Sequence, residues 1–283
     1  MTAKIIDGLA VSQHIKEKLK IEIEDLTKSG KTPCLATILT GDDQPSIIYV
    51  NNKQKSASSI GIKTLDYRLD KDVSEKELVQ IIEKLNSDPD VHGILLQLPL
   101  PDHLDKHKVI NKIDPSKDVD GLTLVNAGLL INNRAKLIPC TPLGIMELLH
   151  FYGINLDGLQ VLIINRSILV GKPLVSLFLE KNATVTVAHT HTKNLAHFSQ
   201  SADIIVTAVG KRESFILTAE MIKEGSIIID VGTNRVNGKL SGDVDFDNVK
   251  KKAGYVTPVP GGVGPMTICM LLRNTVEASK MMG

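Results

Sequence analysis

The sequence predicts an α/β fold with a mainly parallel sheet, on three grounds. Strand-like and helix-like patterns alternate along the chain, with no internal repeat or low-complexity tract. Glycines and prolines such as Gly30, Gly41, Gly61 and Pro99 punctuate the alternation. A length of 283 residues with 42% hydrophobic content is enough for two domains with real cores.

The elements follow in order. Val11, Ile15, Leu19, Ile23 and Leu26 recur at helical spacing from about Leu9 to Ser29, and Gly30 supplies the stop. Cys34 to Leu39 reads as a buried strand ending at the Gly41-Asp42-Asp43 turn. Ser46 is the expected cap of a second helix running to Ile60, with Gly61 as terminator. Ser74-Glu75-Lys76-Glu77 is a capping box ahead of Leu78, Ile81, Ile82 and Leu85 on one face. The strand Gly93 to Leu98 is halted by Pro99. Pro139, Pro142 and Gly144 mark a change of register before a short helix to about Phe151. New strands then follow at Val161–Ile164, Val185–Ala188, Ile204–Val209 and Ile227–Asp230, in the manner of a dinucleotide-binding half-fold. Asn237-Gly238 predicts a type I′ hairpin, and the last helix spans about Met266 to Met281.

Composition narrows the function. The chain has 33 Lys plus Arg against 32 Asp plus Glu, a formal charge of +1, which removes the electrostatic case for nucleic acid or an acidic membrane. Aromatics are 3% with no Trp, so base-stacking platforms are not expected. Runs such as Ile94-Leu95-Leu96 are far too short to span a bilayer, and MTAKIIDGLA lacks the apolar stretch of a secretory signal. Three scattered cysteines, Cys34, Cys140 and Cys269, imply no disulfide framework. The expectation is a cytoplasmic protein acting on small molecules.

After Val161–Ile164 comes Asn165-Arg166-Ser167-Ile168-Leu169-Val170-Gly171-Lys172-Pro173, leading into a helix-like Leu174 to Lys181. Such a turn points backbone N–H groups and a helix dipole at one spot, where phosphate is stabilised. Gly171 permits close approach and Pro173 suits a first helical turn. The usual G-x-G-x-x-G is absent, and Asn165 stands where a sharp turn favours Gly; Asn visits the left-handed region readily enough to allow it. An ordinary strand-to-helix turn fits this loop as well as a phosphate cradle does. The next strand end tips the balance. His189-Thr190-His191-Thr192-Lys193 carries no acid for ribose hydroxyls, and Arg166 with Lys193 can grip a 2′-phosphate, which favours NADP over NAD. His189 and His191 read as solvated loop residues with no third metal ligand nearby, so no metal is expected.

Tyr49 and Lys53 share a helix face, Gln97 sits at the end of a buried strand, and Asp120 lies in Asp118-Val119-Asp120-Gly121. Taken singly, each has a plain structural explanation: core aromatic, surface charge, strand-end cap and turn former. Spacing does not bring them together. The residues alone point to an α/β enzyme with a phosphate-binding turn, a nicotinamide oxidoreductase.

Longer runs say more. Tyr49-Val50-Asn51-Asn52-Lys53, Gln97-Leu98-Pro99-Leu100-Pro101, Lys117 to Gly121, Pro139-Cys140-Thr141-Pro142, Arg166-Ser167 with Val170-Gly171-Lys172-Pro173, and Pro258 to Thr267 hold their order along the whole chain. With them the chain strongly resembles the bifunctional methylenetetrahydrofolate dehydrogenase/methenyltetrahydrofolate cyclohydrolase family. The resemblance implies two α/β domains around a cleft: residues 1–139 plus 265–283 binding folate, and residues 140–264 forming a Rossmann-type NADP domain, with homodimerisation through the latter. It implies oxidation of 5,10-methylenetetrahydrofolate and then hydrolysis to 10-formyltetrahydrofolate, a step that feeds purine biosynthesis. The alternative is a cyclohydrolase with weak or lost dehydrogenase activity.

The resemblance gives Lys53 the central role, with Gln97 orienting it, Tyr49 packing along the folate and Asp120 accepting from pterin N–H groups. Leu98, Pro260, Gly261, Gly262 and Thr267 would complete the folate site. Asn165, Arg166, Ser167, Gly171, Pro173, Thr190, Gly210, Gly232 and Thr233 would hold NADP, with Arg166, Ser167 and Thr190 at the 2′-phosphate. Two positions depart from the family pattern: Asn165 replaces a common Gly, and Thr233 a common Ile.

Overall fold

The computed structural model describes residues 2–282. Its first elements are β1 (Lys4–Ile5), α1 (Gly8–Lys28), β2 (Cys34–Thr40), α2 (Gln44–Ser59), β3 (Lys63–Leu69), α3 (Glu75–Ser87) and β4 (Gly93–Leu96). Next come α4 (Lys106–Ile110), α5 (Leu124–Ile131), α6 (Cys140–Phe151), β5 (Gln160–Ile164), α7 (Gly171–Glu180), β6 (Thr184–Ala188) and α8 (Leu195–Ser201). The chain ends with β7 (Ile204–Thr207), β8 (Ile227–Asp230), β9 (Asn234–Val236), β10 (Lys239–Ser241), α9 (Phe246–Val249), β11 (Tyr255–Val256) and α10 (Val263–Met281).

These elements form two compact units, Met1–Gln13 with Thr141–Thr267, and His14–Cys140 with Ile268–Gly283. The sequence reading assigned residues 1–13 to the other side. They join the later residues because β1 pairs in parallel with β11, and Ala3 sits in that unit's core. A two-residue strand is too short for its periodicity to be read.

The unit containing β2 has a three-stranded parallel sheet in the order β3-β2-β4. All seven residues of β2 are buried, as a central strand covered on both faces requires. Ala36, Ile38, Ile94 and Leu96 pack with Leu78, Ile82 and Leu85 of α3, and each fully buried Leu or Ile contributes about 1.5–3 kcal/mol. Ser74 caps α3 as its motif predicts, its side chain accepting from the Glu77 N–H at 3.2 Å. The expected cap of α2 is corrected. Asp43, not Ser46, holds that position, its carboxylate accepting from the Ser46 N–H at 2.9 Å and the Ser46 hydroxyl at 2.6 Å. Gly30 and Gly61 follow their helices at φ +91° and +95°. β3 was not read from the sequence, although Leu65, Tyr67 and Leu69 alternate with Asp66 and Arg68 in KTLDYRL; Tyr67 and Leu69 pack against this unit's core from the sheet edge. β4 ends two residues earlier than expected, at Leu96, ahead of the cis Leu98–Pro99 bond.

The other unit carries a six-stranded sheet in the order β1-β11-β8-β7-β5-β6, with every pairing parallel. Chain order runs outward from β5 to β6 and then back across to β7. The switch point, where ligands of open α/β sheets settle, therefore lies at the carboxyl ends of β5 and β7. Asn237 and Gly238, at φ +50° and +77°, turn the β9–β10 hairpin as predicted. Among the described residues no helix is long and apolar enough to cross a membrane.

Lys117, part of a run singled out for chemistry, has a structural task. Its buried ammonium donates to the carbonyls of Leu85, Asn86 and Asp88 at 3.0, 2.8 and 2.6 Å, closing the end of α3 with all three of its protons. Lys117→Met leaves these carbonyls without that donor and is expected to lower stability by about 1–3 kcal/mol. Urea unfolding measures this; an unchanged midpoint would show that the cap is dispensable.

Candidate active site

Lys53 projects from α2, the helix that follows β2, and is only 5% exposed. Its Nζ donates to Gln97 Oε1 at 3.0 Å and lies 4.6 Å from the centre of the Tyr49 ring, one helical turn earlier. Gln97 stands just past β4, with its backbone N–H still bonded to Ile38 O at 2.9 Å; its Nε2 donates to Leu98 O at 2.6 Å. The side-chain amide is thereby fixed with its oxygen toward the lysine. Burial pushes the Lys53 amine below its ordinary value, opposed by the nearby Asp120 carboxylate. Tyr49, Lys53, Gln97 and Asp120 thus meet in one unit, at the carboxyl end of a parallel sheet.

The segment carrying Asp120 is fixed from below. Asp118 is buried, bridges to Ile94 of β4, and accepts from the Thr123 N–H at 2.8 Å and Asn126 Nδ2 at 2.9 Å; burial raises its carboxyl despite these donors. Asn274 of α10 donates to Val119 O and Ile138 O, both at 2.8 Å. Cys140 Sγ donates to Val119 O at 3.4 Å. Burial and the neighbouring Asp120 push that thiol well above its ordinary value, so it stays protonated.

The strand-to-helix turn is built differently from expectation. Asn165 does not adopt the left-handed conformation; its side chain organises the turn instead. Oδ1 accepts from the Ser167 N–H at 2.8 Å, the Ser167 hydroxyl at 2.7 Å and the Gly171 N–H at 3.0 Å, while Nδ2 donates to Ala208 O at 2.6 Å. The amide therefore spans the ends of β5 and β7, across the switch point. A Cβ at Gly171 would come within 2.2 Å of Asn165 O, which explains the glycine there. Pro173 is buried in the first turn of α7. Arg166, Thr190 and Lys193 are exposed, and β5 pairs with β6 through Ile164 and Ala188, so the segments after these strands leave the sheet side by side. His189 Nδ1 accepts from the His191 N–H at 3.2 Å.

Comparison with known proteins fits both halves. Residues 6–120 match the catalytic domain, and residues 139–282 the NAD(P)-binding domain, of tetrahydrofolate dehydrogenase/cyclohydrolase. The chain belongs to this family. The bifunctional protein FolD of Nitrosopumilus maritimus (strain SCM1) is 52% identical over 281 residues, 99% of this chain and 98% of that one. The solved structure of the bifunctional FolD dehydrogenase/cyclohydrolase of Campylobacter jejuni is 47% identical, with TM-score 0.96 and 99% of both chains covered. That of Trypanosoma brucei, complexed with NADP cofactor and inhibitor, is 38% identical, with TM-score 0.94 over 99% of this chain and 98% of that one.

The remaining positions of the tetrahydrofolate dehydrogenase/cyclohydrolase pattern fall in the six-stranded unit. Exposed Pro260 follows a cis Val259–Pro260 bond, Gly261 and buried Gly262 lead into α10, and Thr267 pairs with Thr141 through their hydroxyls at 2.9 Å. Gly210, Gly232 and Thr233 lie just past β7 and β8, around a residue the sequence reading missed. Buried Asp243 accepts from the Thr207 hydroxyl at 2.9 Å, the Val209 N–H at 2.7 Å, the Gly210 N–H at 3.0 Å and Asn234 Nδ2 at 3.0 Å. It thereby draws Val209 away from strand pairing and ends β7 at Thr207. A Cβ on Gly232 would reach within 2.3 Å of the Asp243 carboxyl carbon, so only glycine fits. Asp230, which accepts from the Gly232, Asp243 and Val244 N–H groups, is raised to about 6, chiefly by burial. The available signal was Gly242-Asp243-Val244, an acid between small and apolar residues beyond a hairpin.

Asp120→Asn removes the carboxylate that favours the charged amine, so the Lys53 pKa should fall further. Nitrogen-detected NMR titration of the lysine amines reads this directly; an upward move would refute the electrostatic assignment.

Proposed function

We propose that Lys53 is the base of a bifunctional enzyme that oxidises 5,10-methylenetetrahydrofolate with NADP and then hydrolyses the 5,10-methenyl product to 10-formyltetrahydrofolate. The carrying observation is a buried amine, pushed toward its neutral form by desolvation and oriented by Gln97, at the end of a parallel sheet.

Bound NADP supplies the hydride acceptor, and the exposed cations Arg166 and Lys193 beside the switch point suit its phosphates. The oxidation creates a cationic methenyl group, which a neutral Lys53 does not repel. A neutral amine carries two protons and one lone pair. Donation to Gln97 spends one proton and leaves the lone pair free to take a proton from water as its oxygen bonds to the methenyl carbon. The resulting ammonium returns that proton to the ring nitrogen as its bond to the carbon breaks, and the remaining hydroxyl proton leaves to solvent as the formyl carbonyl forms.

Tyr49 and Leu98 flank the folate, and Asp120 accepts from pterin N–H groups. Pro260, Gly261, Gly262 and Thr267 complete substrate binding. Asn165, Arg166, Ser167, Gly171, Pro173, Thr190, Gly210, Gly232 and Thr233 form the cofactor site, with Asn165 acting through the turn it builds. Homodimerisation through the six-stranded unit is supported by β6, an edge strand with half-exposed Val187. A cytoplasmic setting and formyl supply to purine biosynthesis belong to the same proposal.

Lys53→Met is expected to slow methenyl hydrolysis at least about 100-fold with NADP binding retained. Absorbance assays on the methenyl and methylene compounds, with NADP and NAD in parallel, test this. Normal hydrolysis by the variant would remove Lys53 from the role.

A further inference from the structure

We propose that Asn165 sets selectivity at the cofactor's 2′ position, by fixing the Ser167 hydroxyl as an acceptor that suits a ribose 2′-hydroxyl and disfavours a 2′-phosphate. This rests on the reading that Ser167 faces the cofactor's 2′ position, where the family resemblance has it meet the 2′-phosphate.

The orientation of the Asn165 amide is forced. Two backbone N–H groups, from Ser167 and Gly171, point at one of its terminal atoms, which must be the oxygen; the other atom meets the Ala208 carbonyl at 2.6 Å and must be the nitrogen. Flipping the amide would set NH₂ against two donors and oxygen against oxygen. The Ser167 hydroxyl lies 2.7 Å from the same Oδ1, which has no proton to give, so the hydroxyl donates. It also accepts from the Val170 N–H at 3.1 Å. Its single proton and one lone pair are committed, and one lone pair remains.

The oxygens of an ionised 2′-phosphate are acceptors, and against that lone pair they find no partner. A 2′-hydroxyl brings a proton and does. The Ser167 and Gly171 N–H groups, which such a turn would otherwise offer to an anion, are spent on Asn165 as well. Arg166 and Lys193 remain exposed and still attract phosphate, so NADP binds. What narrows is its margin over NAD.

Calorimetric titration of NADP and NAD into the wild type, Asn165→Ala and Ser167→Ala tests the proposal by binding alone. Freeing the hydroxyl in Asn165→Ala should shift the ratio of dissociation constants toward NADP by about 3–10-fold, the worth of one hydrogen bond. An unshifted ratio in a folded variant overturns the proposal. Ser167→Ala leaves Asn165 in place and decides the matter should the first variant not fold. It should weaken NAD and spare NADP, whereas a larger loss for NADP would mean that the hydroxyl donates to phosphate and would overturn the proposal. If Ser167→Ala moves neither dinucleotide, the placement of Ser167 at the ribose is wrong, and the selectivity argument falls with it.

Discussion

The constraint on which the candidate chemistry depends is the removal of one ammonium group from water. Desolvating Lys53 disfavours its charge, and the surrounding architecture serves that end. β2 delivers α2, β4 delivers Gln97, and the Asp118 segment delivers Asp120, so the groups that tune the amine come from neighbouring elements of one small sheet. Positions inherited from strand pairing are more rigid than positions on a loop, and a base works only when its lone pair is aimed.

The second unit solves its own problem with side-chain acceptors. A parallel sheet leaves donors unsatisfied where chains turn away from the carboxyl ends of its strands. Asn165 gathers those after β5 and Asp243 those after β7. Both turns are thereby held by hydrogen bonds within the chain, which lessens the ordering that binding requires.

Much of this was legible in the sequence because it follows from periodicity and punctuation. The buried strands, the Ser74 cap of α3 and the Asn237-Gly238 hairpin are local patterns with local causes. What escaped was non-local or polar. β1 is two residues long and takes its identity from β11, and β3 was passed over although its Leu65, Tyr67 and Leu69 alternate with polar residues. The α2 cap was misplaced by three residues because Ser46 is as good a capping type as Asp43, and only the backbone shows which one accepts. Tyr49 and Lys53 were visible as a helical pair, but their meeting with Gln97 is a fact of tertiary structure. Asn165 was read for its backbone tolerance, whereas its amide carries the effect; a single letter does not say which of a residue's two capacities is used.

The two acids beneath the six-stranded sheet's loops carry one more consequence. Asp230 titrates near 6 in the fold against an ordinary 3.8, so its ionised form sits there at a disadvantage of about 3 kcal/mol. That disadvantage is complete above pH 6 and fades as the solution acidifies toward 3.8. Where most buried carboxylates make a protein more fragile in acid, this one lends the dinucleotide half of the molecule a reserve of firmness in mildly sour surroundings.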